Sequence, residues 1–225
     1  LKLILLGIIG NTVFQMFFIH GMNLTTASNT SIIMAMTPVF VALLSSLTKQ
    51  ERIHWLTWLG IGISFVGFYF VITRQPGGIS LSGKGIRGDL MIFLGNMCWA
   101  IYTVFSKPIL ERMSPLKLTT LTMVMGTVFY VPFCLKDVLH LRLTAISTPA
   151  WGALFYSGLF ALAICYVIWY FSVKIVGNIK TAIYGYLIPV FTVLFAYIFI
   201  SETITYWQAV GALIILVGVY LARSP

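Results

Sequence analysis

Two stretches, Thr37-Pro38-Val39-Phe40 and Ile188-Pro189-Val190-Phe191, each set a proline in the middle of an apolar run of about membrane-spanning length. Pro189 follows Pro38 by 151 positions. Sliding the chain by that offset, without a gap, also matches Leu3 with Leu154, Gly7 with Gly158, Thr30 with Thr181, Ile32 with Ile183 and Leu43 with Leu194. The register continues through Glu51 with Glu202, Ile53 with Ile204, Gly60 with Gly211, Ile63 with Ile214, Val66 with Val217, Gly67 with Gly218 and Tyr69 with Tyr220. Fifteen identities in one register over residues 3–69 mark an internal duplication. Duplicated helical bundles interrupted at matching positions are a common transporter architecture.

Composition sets the solvent. The chain is 60% hydrophobic and 8% charged with a mean hydropathy of +0.99, which excludes a water-soluble class. The net charge of +9 does not indicate a nucleic-acid partner, because the 14 Lys and Arg fall one to three at a time between apolar runs and form no basic stripe. Cys98, Cys134 and Cys165 lie far apart, within or at the edge of apolar runs, with neither metal-ligand spacing nor a disulfide framework. They read as small packing residues.

Eight helical spans are expected, at roughly 1–20, 29–48, 54–73, 88–107, 115–135, 150–173, 180–200 and 205–222. Apolarity is continuous along each and does not alternate, so the class is an all-α membrane bundle and not a barrel. The longest connection carries Pro76-Gly77-Gly78, Gly83, Gly85 and Gly88. It divides a first repeat at 1–73 from a second at 88–225, with 74–87 as the linker. The second repeat has two spans ahead of its matched trio and the first has none. On equal copy length, the start of the first copy is expected about 60–65 residues before Leu1, giving ten helices, five per copy. Five is odd, so the copies enter the membrane in opposite senses. With Leu1 on the cytoplasmic side, nine Lys and Arg fall inside and five outside, which favours that orientation. Glu51 is then cytoplasmic and Glu202 is on the opposite side.

No zinc motif, no pair of intramembrane Asp and no nucleophile elbow appears, and His20, His54 and His140 fall at or near span ends. An enzyme is not indicated, and neither a metal nor another cofactor is implied. Glu51, Asp89, Glu111, Asp137 and Glu202 also lie at span ends or in loops, so these spans offer no buried carboxylate for ion coupling. Facilitated movement down a gradient is the simplest expectation.

Recognition is left to polar and aromatic groups. Asn11, Gln15 and Phe18 share a face of the first span. An amide at that depth requires either a wet cavity or an interhelical hydrogen bond. Asn96, Trp99, Thr103 and Ser106 share a face of the fourth span, with Tyr102 beside it. Tyr166, Trp169 and Tyr170 cluster on the sixth, Tyr184 and Tyr186 precede Pro189 on the seventh, and Asn29 and Thr37 are polar positions on the second. The substrate-binding candidates are therefore Asn11, Gln15, Asn29, Thr37, Asn96, Trp99, Tyr102, Tyr166, Trp169, Tyr184 and Tyr186; aromatic packing between helices is the alternative. Pro38 and Pro189 lack an N–H and clash one turn back, which makes them candidate gating kinks or inherited packing kinks. Gly60, Ser64 and Gly67, with Gly211 and Gly218, form a small-residue stripe. Its partner is either another helix of the protomer or the second copy in a homodimer.

The sequence of Met36-Thr37-Pro38-Val39-Phe40-Val41-Ala42-Leu43-Leu44 followed by Glu51-Arg52 resembles the EamA-type members of the drug/metabolite transporter superfamily. Tyr186-Leu187-Ile188-Pro189-Val190-Phe191, Ser201-Glu202-Thr203 and the run Gly211–Leu221 are similar to the second copy in that family. Gly88-Asp89-Leu90, running on to Cys98-Trp99-Ala100-Ile101-Tyr102, looks like its opening. The resemblance covers helices three to ten of ten. It implies a ten-helix transporter with both termini cytoplasmic and a central cavity between inverted repeats, exporting small organic metabolites or drugs across the cytoplasmic membrane. The partners implied are a small-molecule substrate and the lipid bilayer. The alternative is a non-transporting membrane scaffold that keeps the fold.

Overall fold

The computed structural model describes residues 1–25, 27–72, 83–140, 146–200 and 206–223. Every regular element among the described residues is helical. The first half contributes α1 (Lys2–Met22), α2 (Ala27–Met34), α3 (Thr37–Leu47) and α4 (Trp55–Ile72). There follow α5 (Gly83–Leu110), α6 (Pro115–His140), α7 (Thr148–Val176), α8 (Asn178–Tyr184), α9 (Leu187–Ile200) and α10 (Tyr206–Arg223). Lys2–Met22, Gly85–Leu110, Pro115–Leu135 and Thr148–Val176 are long and apolar enough to cross a bilayer. Thr37–Leu47, Trp55–Phe70 and Ala209–Ala222 are shorter apolar helices. Helices suit such a composition because they satisfy their own backbone groups.

One boundary differs from expectation. α5 begins at Gly83, so Gly83 and Gly85 are helical rather than part of the 74–87 linker, and Gly88, expected to open its span, lies within the helix. A Cβ at Gly88 would stand 2.8 Å from the Gly21 carbonyl oxygen and the Thr25 nitrogen. This glycine admits a neighbouring backbone; it does not make a turn.

Both proline-centred runs are broken, not merely bent, at Ala35–Met36 and at Gly185–Tyr186. Pro38 sits in the first turn of α3, where its missing N–H is harmless. The Met34 carbonyl that it would otherwise leave bare lies 2.5 Å from the Thr37 hydroxyl. One position earlier, the Ile33 carbonyl accepts from Met36 N–H at 3.1 Å and from Asn96 Nδ2 at 2.7 Å. In the second break Ile188 stands where Thr37 stands in the first. Tight backbone bonds close the chain there, Gly185 N–H to Ala182 and Tyr186 N–H to Ile183, both at 3.0 Å.

Two further irregularities pair up. Ile8–Val13 in α1 and Ser157–Ile164 in α7 are π-helical, and the 151-residue offset superposes most of the one on the other. The wider turn in α1 sets Gly10 against the Tyr102 ring and Asn11 against Gly126.

The small-residue stripe has its partner within the chain. Gly60 faces Gly218 and Ala222, whereas Gly67 faces Gly211 and Ile215, so α4 and α10 cross antiparallel. A Cβ at Gly60 would lie 2.5 Å from the Gly218 oxygen, and one at Gly67 would lie 2.7 Å from the Gly211 oxygen. Backbone therefore packs directly on backbone along this seam.

Candidate functional site: a cavity at the helix breaks and a polar interlock

A cavity of about 490 Å³ lies where the two breaks approach each other. Met34, Ala35, Thr37 and Pro38 line it from the first break, and Ala182, Gly185, Tyr186 and Ile188 from the second. Trp99, Tyr166 and Trp169 join them from α5 and α7, with Phe14 and Phe68 at its flanks. Trp99 is the hub of these rings. Its ring centre is 4.9 Å from Tyr166, 5.3 Å from Phe14 and 5.7 Å from Trp169. Trp169 is held in turn, its Nε1 donating to Thr103 Oγ1 at 3.3 Å. Among the described residues, the lining includes no charged side chain. Aromatic faces with a few hydroxyls suit an uncharged or amphipathic organic molecule.

Of the residues singled out from sequence, Thr37, Pro38, Trp99, Tyr166, Trp169 and Tyr186 reach this cavity. The others whose side chains are described lie outside its lining. Asn96 is fully buried, donates to Ile33 and accepts near the Thr37 hydroxyl at 2.6 Å, so it secures the first break. Asn29 donates to both Asp89 oxygens, at 3.1 and 2.9 Å, and Thr25 also bonds that carboxylate. Tyr102 is fully buried behind Trp99 with its hydroxyl 2.5 Å from Thr122 Oγ1. Asn11 is buried against Gly126, Gln15 stands beside the Tyr166 hydroxyl, and Tyr184 is 38% exposed. Pro189 lies within α9; its ring is outside the described side chains, and Glu202 is outside the described residues. Phe14, Met34, Phe68 and Cys165 line the cavity without having stood out in the sequence, because their types are ordinary for any apolar span.

The second feature was hidden among residues that read as span ends. The left-handed Lys49 (φ 55°) turns the chain back after α3, and Gln50 N–H bonds the Ser45 carbonyl at 2.9 Å. Glu51 is thereby brought against α8. Its carboxylate accepts from Asn178 N–H at 2.6 Å, Ile179 N–H at 3.1 Å and Lys107 Nζ at 2.5 Å. Asn178 Nδ2 adds bonds to Ser45 Oγ at 3.2 Å and Gln50 Oε1 at 3.1 Å. Gly177 makes the approach feasible, with φ 92° and ψ 171° and a site for Cβ only 2.7 Å from Glu51 Oε1. One turn along each helix, Val41 and Ala182 pack with Val104 into an apolar plug. Ala182 is also cavity wall, so plug and interlock adjoin the cavity.

A cavity at paired helix interruptions is how many membrane transporters are built. The chain belongs to the EamA-like transporter family, whose model matches residues 1–73 and again residues 86–224. It is 33% identical over 225 residues to the uncharacterized transporter YyaM of Bacillus subtilis, covering 98% of this chain and 72% of that protein. An uncharacterized transporter of Archaeoglobus fulgidus is 30% identical, with 100% and 76% covered. A WAT1-related chloroplastic protein of Arabidopsis thaliana, At3g02690, is 27% identical over 98% of this chain and 54% of its own length. A solved crystal structure superposes with a TM-score of 0.84 at 16% identity, over 97% of this chain and 75% of that one, which supports the fold.

Proposed function

We propose that this membrane transporter moves small organic metabolites or drugs across the cytoplasmic membrane, most often outward, by alternating access around the cavity. The observation that carries this reading is that both proline breaks contribute wall to one cavity. Freed backbone at membrane depth is tolerated where it lines protein or a cavity, and broken helices are where such transporters hold their cargo. The reciprocal contacts of α4 with α10 and the paired π segments support two inverted repeats, 1–73 and 88–225, joined through 74–87, the last residues of which, from Gly83, already belong to α5. In this reading α2 with α3, and α8 with α9, are each one interrupted span, giving eight spans in all.

Substrate meets Trp99, Tyr166, Trp169 and Tyr186, while Asn11, Asn29 and Asn96 hold the frame. Pro38 and Pro189 mark where the half-helices hinge. The excess of Lys and Arg assigns the Glu51 end to the cytoplasm, so the interlock is the cytoplasmic gate in its closed position. The test is metabolite profiling of medium around cells making the full-length protein or a Trp99→Ala, Tyr166→Ala double variant at equal membrane levels. Compounds enriched outside only with the intact protein are expected. Equal profiles for both, in export and in uptake, would overturn the reading in favour of a scaffold.

A further inference from the structure

We propose that a second cavity, at the Glu51 end, is a binding site for the phosphate group of an amphipathic molecule. This cavity of about 670 Å³ is distinct from the central one and has none of its lining residues. Arg52, Lys107, Lys174 and Lys180 line it from three separated segments of the chain. Glu51 is the acidic residue in the lining, and its carboxylate is occupied by Lys107 and two backbone N–H groups. Arg52, Lys174 and Lys180 thus share this cavity with no further carboxylate among its described lining residues. Lys174 spends one N–H on the Met113 carbonyl at 3.2 Å and keeps two.

Gathering like charges around one concave space raises the local potential, and an anion relieves it. The donor set favours phosphate, with a planar guanidinium for a bidentate grip and two ammonium groups as point charges. Ile53, Ile175 and Val176 supply an apolar wall beside the cations, which suits an amphipathic carrier of that phosphate. The described lining of the central cavity carries no cation, which sets the donor chemistry of the two cavities apart. Position gives the site its consequence. An occupant at Lys174 and Lys180 would bind the joint between α7 and α8, beside the contact that Glu51 makes with α8.

Phosphate chemistry of this kind has two sources, an anionic phospholipid headgroup or a soluble phosphate compound, and the experiment separates them. The full-length protein in neutral detergent is melted with phosphatidylglycerol, with phosphatidylcholine and with sodium phosphate against sodium chloride at equal ionic strength. A rise of several degrees with phosphatidylglycerol alone assigns the headgroup; a rise with phosphate assigns a soluble ligand. In either case the rise should vanish in Lys174→Gln, Lys180→Gln and persist in Lys174→Arg, Lys180→Arg. A Lys2→Gln, Lys117→Gln control removes equal charge from exposed lysines outside the cavity lining. No rise with either anion, or an equal loss in this control, would overturn the proposal.

Discussion

Replacing Glu51 with Gln keeps the shape of the side chain and removes its charge, which isolates what the interlock contributes. The carboxylate holds Lys107 Nζ at 2.5 Å and two backbone N–H groups at 2.6 and 3.1 Å. Bonds to a charged group are worth about 1.5–3 kcal/mol and neutral ones about 0.5–1.5 kcal/mol. The Lys107 and Glu51 side chains are 25% and 17% exposed, so solvent screens only part of the ion pair. The Gln amide retains one acceptor oxygen and turns a donor towards the others. The closed arrangement should therefore lose about 2–3 kcal/mol, which raises the open population at this end roughly 30- to 150-fold. Cys165 lines the cavity and reports this opening once Cys98 and Cys134 are replaced by Ala. A membrane-impermeant maleimide supplied from the Glu51 side should label Cys165 faster in Glu51→Gln by up to that factor. An unchanged labelling rate, with the variant as stable as its parent, would refute the role of the interlock in closure.

Three other substitutions test neighbouring parts of the argument. Gly177→Ala must hold φ 92° and place a Cβ 2.7 Å from Glu51 Oε1. It should lower thermal stability by about 1–3 kcal/mol and reproduce the labelling change of Glu51→Gln. Gly218→Ala drives a Cβ to 2.6 Å from Ser64 N and 2.7 Å from Gly60 O, where only backbone can yield. A loss of about 1–3 kcal/mol is expected by melting, and a neutral outcome would mean that α4 and α10 do not touch as described. Asn96→Leu removes the donor to Ile33 and the acceptor beside Thr37, so melting should report a loss of about 1–3 kcal/mol. An unchanged melting temperature would show that the first break is held by its own backbone.

The fold was legible in the chain to the extent that it follows from burial in lipid. Continuous apolar runs dictate helices, and the one-register match between Pro38 and Pro189 located both interruptions. Trp99 stood out because a large aromatic near the middle of a span has no interface to anchor it, whereas Tyr166 and Trp169 stood out as a cluster and Tyr186 by preceding Pro189; all four line the cavity. Helical facing alone could not separate Trp99 on the wall from Tyr102 one turn away, fully buried behind it. Asn29 and Asn96 were drawn to the cavity by their polarity, yet their partners are Asp89 and the Ile33 carbonyl, contacts across about 60 residues that no local pattern encodes. Glu51 carried the opposite error. At a span end it resembled a solvated charge, and only the Lys49 turn brings it onto α8. Gly83 and Gly85 were taken for a linker because glycine serves turns and close packing equally, and sequence alone does not choose between them.

Two of the several contacts between the halves bear on where movement can occur. Along α4 and α10, Gly60 and Gly67 meet Gly218 and Gly211 backbone to backbone, and sliding by one residue would bring a side chain into contact with a carbonyl. Such a seam resists translation and tolerates small rotation, which is the behaviour of a pivot. At the Glu51 end the halves are joined by a handful of hydrogen bonds and one ion pair, with the Val41, Val104 and Ala182 plug behind them. Those contacts are directional and are exchanged for water as they part, so their net cost is a few kcal/mol, within reach of differential ligand binding. Rotation about α4 and α10 would separate the Glu51 segment from α8 and carry the broken ends at Ala35–Met36 and Gly185–Tyr186 with it. The cavity wall is built from these ends, so in the proposed mechanism opening the interlock and reshaping the site would be one motion.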